Sequence, residues 1–101
     1  MYSLGGMDML IRFSALRCKE VINVTDGARL GYVSDLELEA ESGRVLCLIV
    51  PVPGRFFGLF GSPGDYVIPW SCIRRIGGDL ILVDVSLDEC RRPKEKRSGF
   101  R

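Results

Sequence analysis

The chain has 101 residues, 47% of them apolar and 27% charged, with a net charge of +1. This balance fits one small soluble globule and excludes a disordered polyelectrolyte. With no histidine, His-based triads, imidazole acid–base catalysis and Cys/His metal sites are excluded too.

Residues 1–9 are read as an N-terminal leader. They lack the basic and long apolar regions of a secretory signal. No stretch reaches the roughly 18 apolar residues that span a bilayer, so a cytoplasmic protein is expected, with no membrane partner. Residues 10–86 are read as the folded domain. "LIRF" (10–13) is a short β-prone run, and Ser14 is expected to N-cap one helical turn in "SALRCKE". "EVINV" (20–24) alternates as a strand does. Thr25-Asp26-Gly27 is a turn in which Asp caps its own backbone and Gly supplies positive φ.

"LGYVSDLELEAE" (30–41) is the longest strand signal. Leu36, Leu38 and Ala40 share one face, while Glu37, Glu39 and Glu41 share the other, a solvated face that discourages edge pairing. Val33 breaks the phase, so a bulge or bend is expected near Ser34-Asp35. Ser42-Gly43 is a tight turn. "RVLCLIVPV" (44–52) has no polar gap after Arg44, so both faces of this strand should be covered, one by the core and the other by an open candidate such as a partner subunit. "PGRFFGLFGSPGD" (53–65) sets Phe56, Phe57 and Phe60 among four glycines and reads as a long hairpin. Its glycines at 54, 58, 61 and 64 do not have dinucleotide-loop spacing.

"DYVIP" (65–69) is a strand ended by a proline that cannot donate to a ladder. Trp70 reads as a core plug in a turn. "RRI" is a short strand, Gly77-Gly78-Asp79 a hairpin, and "LILVDV" the closing strand. "SLDEC" is a turn or short helix. Residues 87–101 form a basic tail, read as disordered. Residues 91–101 alone carry six basic residues and one acidic, leaving residues 1–90 with eight basic and twelve acidic. The body is therefore net −4 and this segment net +5.

The four cysteines, Cys18, Cys47, Cys72 and Cys90, form no C-x-x-C pair and read as free thiols. Cys47 in "VLCLIV" reads as a small buried hydrophobe, and Cys18 and Cys90 as exposed. About six short strands with regular turns and no long helix make the class all-β. A small closed barrel is the natural way to hide the edges.

Three blocks in order, "KEVINVTDGARLGYVSD", "GRFFGLFG" and "DYVIPWSCIRRIGGDLILV", resemble the PRC-barrel domain of the YlmC/YmxH sporulation protein family. The similarity runs from about Leu10 to Val85. It implies a six-stranded PRC-type β-barrel with short helical turns, in the cytoplasm of a spore-forming bacterium, with no catalytic or cofactor-binding residues to carry over. Related barrels dock on larger assemblies, in a ribosome-maturation factor and a photosynthetic reaction-centre subunit.

The expected function is that of a non-catalytic interaction or adaptor module. It assembles as a homodimer or docks on an unknown protein partner through Phe56, Phe57, Phe60, Val50 and Val52, and it needs no metal or cofactor. The alternative is an RNA- or ribosome-associated factor that binds phosphates weakly through Arg91, Arg92, Lys94, Lys96 and Arg97 of the tail, with help from Arg55, Arg74 and Arg75. An enzyme is not expected: the missing histidines and small interior leave little room for a substrate pocket.

Overall fold

The computed structural model describes residues 10–53 and 64–93. The chain runs through α1 (Phe13–Leu16), β1 (Glu20–Asn23), β2 (Arg29–Tyr32), β3 (Asp35–Glu39) and β4 (Arg44–Pro51). It continues with β5 (Asp65–Pro69), a 3-10 turn (Trp70–Cys72), β6 (Ile73–Ile76), β7 (Leu80–Val83), α2 (Leu87–Cys90) and β8 (Arg91–Arg92). Two four-stranded sheets result, ordered β2-β1-β7-β6 and β3-β4-β5-β8. Neighbours are antiparallel except β1 and β7, which run parallel and join the two ends of the domain.

The closed six-stranded barrel is thereby corrected. Among the described residues there are eight strands in two sheets, with no ladder joining one sheet to the other. Two causes account for the extra strands. The long signal over 30–41 splits at Val33-Ser34 into β2 and β3, which lie in different sheets. The bend expected there is a change of sheet, held by the Ser34 amide donating to the Ile49 carbonyl at 2.8 Å. The second extra strand, β8, comes from the start of the basic tail, where Arg91 and Arg92 pair with Tyr66 and Asp65. The tail read as disordered from residue 87 is corrected at α2 and at these two residues; residues 94–101 lie outside the described region.

The β1–β2 turn forms as its residues dictate. Gly27 takes φ +73, and the Asp26 carboxylate accepts from the Ala28 amide at 3.0 Å. Ser14 does not cap α1. Arg12 occupies that position without a side-chain bond, and Ser14 lies inside the turn. Residues 10–12 form no strand.

Inward-facing residues of both sheets make the core. Val21, Leu30, Ile81 and Val83 come from the first sheet, and Leu48, Val50 and Ile68 from the second. Leu16, Val33 and Val85 complete it. Burying each such side chain contributes about 1.5–3 kcal/mol. Trp70 packs on this core from its rim, half-buried, rather than plugging its centre. Among the described residues, no helix is long and apolar enough to cross a membrane.

Candidate interaction surface

A bulge in β4 makes the first feature. Glu37 pairs with Cys47 and Leu38 with Val45, so Leu46 is an extra residue with no partner in β3. A bulge bends the strand and re-aims its side chains. On the core side of it, Leu48 and Val50 are fully buried, whereas Leu46 is 50% exposed and Leu38 on the neighbouring strand is 51% exposed. Leu38 therefore does not share the inward face expected from its alternation with Leu36, which packs on the core.

Beside the bulge, Pro69 ends β5 and the 3-10 turn begins with Trp70 and Ser71. Arg44, Val45, Leu46, Trp70 and Ser71 line a shallow, half-open concavity of about 530 Å³. Arg44 is the charged member of this lining. Glu39 stands opposite it in the ladder, yet its carboxylate accepts from the Ser42 hydroxyl at 2.7 Å instead. The Arg44 guanidinium forms no ion pair among the described residues.

The outer face of the first sheet is the second feature. Ile22 alternates with buried Val21 and Asn23, and Leu82 with buried Ile81 and Val83, so both point away from the core and lie paired in the ladder. In the next row Glu20 stands between Tyr32 and Leu80, which are 53% and 40% exposed. Arg29 grips Glu20 with two bonds of 2.9 and 3.0 Å. That hydrogen bonding, with the opposed charge, holds the Glu20 carboxyl below its ordinary range. The face thus sets apolar side chains around this pair, with the exposed Arg75 opposite Leu82 on the edge strand β6.

The residues expected to form the interaction surface are distributed differently. Val50 is fully buried and belongs to the core, which corrects its assignment to the surface. The reason is register: in β4 its side chain falls on the same face as Leu48, against Tyr66. Val52 is half-buried just past β4, its amide donating to the Gly64 carbonyl at 3.0 Å. Phe56, Phe57 and Phe60 lie outside the described residues. So do Arg55, Lys94, Lys96 and Arg97 of the phosphate-binding alternative. Arg74 is bonded to Asp84 at 3.2 Å and Arg92 stands 3.8 Å from Glu37; Arg75 is exposed.

The second face of β4, left open by the sequence, is covered from within this chain at Cys47 and only partly at Ile49. Cys47 is buried there and donates to Glu37 at 3.4 Å, and Arg92 closes on the other oxygen of the same carboxylate. Burial, then the Glu37 contact, raises the Cys47 thiol above its ordinary value. Cys18 is exposed, whereas Cys90, expected exposed, is half-buried at the end of α2 and packs against the core. All four thiols are free. Among the described residues, no three metal-ligating side chains converge.

Leu38, Leu46 and Arg44 escaped the sequence reading because a bulge leaves no composition signal. The continuous run "RVLCLIV" was the only hint that apolar residues exceeded what one core face could hold.

The PRC-barrel domain family matches residues 9–89. The chain is 36% identical over 77 residues to the probable sporulation protein YlmC of Bacillus subtilis, covering 76% of this chain and 95% of that protein. It is 35% identical over 77 residues to the uncharacterized protein YmxH of the same organism, covering 74% and 89%. An uncharacterized Clostridium acetobutylicum protein is 35% identical over 71 residues, covering 70% and 80%.

Proposed function

The chain belongs to the PRC-barrel family, in company with YlmC and YmxH, and on that premise we propose that it is a non-catalytic, sporulation-associated adaptor that self-associates and holds a second protein. The description of YlmC as a probable sporulation protein supports the setting. The observation that carries the molecular reading is the presence of two separate apolar areas on different sheets. One is the Tyr32–Leu80 face of the first sheet, the other the Leu38–Leu46 end of the second. An adaptor needs two such areas, because a single patch used for self-association leaves nothing to present to a partner.

The Tyr32–Leu80 face suits a second copy of the chain. The Glu20–Arg29 charges are already paired within the chain, and the exposed Arg75 stands opposite Leu82 on the edge strand β6, so two copies can meet over the apolar middle of the face and leave Arg75 at its border.

Sedimentation velocity across micromolar concentrations tests this reading. The wild type is expected to dimerise, Leu80→Asp to give monomer, and Leu46→Asp to remain dimeric. A wild type that stays monomeric throughout refutes the self-association. The RNA-linked reading predicts instead salt-sensitive RNA binding that is lost when residues 91–101 are removed.

A further inference from the structure

We infer that the concavity beside the β4 bulge is a docking site for an extended peptide segment carrying an apolar side chain followed by a single carboxylate. The inference rests on the adaptor reading above and names the chemistry of the partner. Three observations carry it. The walls are apolar, formed by Val45, Leu46 and Trp70. The bulge leaves Leu46 half out of the fold, with Leu38 exposed on the neighbouring strand. Arg44 stands on the rim with a guanidinium that its cross-strand neighbour Glu39 does not take up.

An apolar side chain seated on Leu46 and Trp70 brings the next polar group of its chain towards Arg44. A planar, permanently charged guanidinium there selects a carboxylate, which it can hold through two parallel bonds. Ser71, also in the lining, carries a hydroxyl that can serve the peptide backbone as donor or acceptor. One carboxylate suits this place and a string of phosphates does not. Glu37, Glu39 and Glu41 lie on the adjoining strand and turn, and their repulsion grows with each added negative charge. Arg44 and Trp70 together resemble a base-stacking site, but Arg44 is the one cation among the described lining residues.

Trp70 is the only tryptophan in the chain, so its emission reports occupancy directly. The probes are acetyl-Leu-Phe-Asp-amide and its uncharged counterpart acetyl-Leu-Phe-Asn-amide, titrated into full-length protein. The acid is expected to shift the Trp70 emission saturably and to bind up to about fivefold more tightly than the amide, the upper range for an exposed ion pair. Added salt should shrink that preference. Arg44→Gln should abolish it, and Arg44→Glu should reverse it. Leu46→Ser should weaken both probes alike. All the substituted side chains are at the surface, and unchanged circular dichroism checks the fold.

The inference is overturned if neither peptide gives a saturable change. It is equally overturned if both bind alike and Arg44→Glu changes nothing. Tighter binding of a short oligothymidylate with the same Arg44 dependence would overturn it in favour of a nucleic acid. Sedimentation of the same samples separates the two levels of the argument. A dimer that ignores the peptides removes this site and leaves self-association standing; a monomer that binds the acid keeps the site and removes the self-association.

Discussion

Asn23 and Val85 exchange two hydrogen bonds across 62 positions of sequence. The Asn23 amide donates to the Val85 carbonyl at 3.0 Å, and its oxygen accepts from the Val85 amide at 3.1 Å. Among the described residues Asn23 is the one buried polar residue, and its side chain acts there as a stretch of backbone. Val85 lies beyond the end of β7, where no ladder partner remains. The side chain therefore extends the β1–β7 pairing past its last residue.

Asn23→Ala leaves both polar groups of Val85 without these partners in the core. Each such group costs about 1–3 kcal/mol, so a loss of about 2–6 kcal/mol in urea denaturation is expected, a large share of the stability of a domain this size. A change below about 0.5 kcal/mol, typical of exposed positions, would show that the clamp is dispensable.

Gly64 marks where the start of the tail crosses the sheet. It takes φ +125, and a Cβ there would overlap the Arg92 carbonyl oxygen and stand 3.0 Å from the Pro93 Cα. Gly64→Ala is expected to push β8 off β5 and cost about 1–3 kcal/mol. Amide exchange should quicken at residues 91–92. Gly27→Ala, with open space around its Cβ position, should cost only its backbone strain of about 1–2 kcal/mol and leave that exchange unchanged.

Acid should weaken the domain through Asp84 and Glu20. The Thr25 hydroxyl first, and then the Arg74 guanidinium, hold the Asp84 carboxyl below its ordinary value; Arg29 does the same for Glu20. Because the unfolded carboxyls bind protons more readily, these contacts stabilise the fold above the ordinary carboxyl pKa of about 4. Their contribution is lost as pH falls through the lower folded values. Thermal denaturation should show a stability loss below about pH 4. Combining Asp84→Asn with Glu20→Gln should flatten it, and high salt should reduce the difference.

Thiol reactivity should rank the cysteines by burial. Cys18 is exposed and should react first with a disulfide reagent at neutral pH. Cys47 is buried and held protonated by its surroundings and by Glu37, so it should react last, at a rate set by opening of the fold. Single-cysteine variants separate the signals. Rapid labelling of Cys47 would show that the Glu37–Arg92 cover does not close that face.

Local chemistry made much of the fold legible. The alternation in "EVINV" placed β1, and the Asp26-Gly27 pair placed its turn. Pro69 marked the end of β5, and the apolar run "LILV" placed β7. The run "VLCLIV" signalled a strand with buried residues on both faces, as Cys47 and Leu48 are, but not that Leu46 would be half exposed or that Glu37 and Arg92 of the same chain would meet over Cys47.

The candidate surface was hidden for the same reason. A bulge is a relation between two strands, and Leu46 became an outward residue only when Cys47 and Val45 found consecutive partners in β3. Val50 was moved inward by the same register. The sequence by itself determined β1, β4, β5 and β7, the Asp26-Gly27 turn and the family, because φ/ψ preferences and side-chain periodicity act over a few residues. Only the tertiary structure decided which sheet each strand joined, that Asn23 would close the domain on Val85, and which apolar residues were left facing water. Those outcomes depend on register between distant segments, which local preference does not contain.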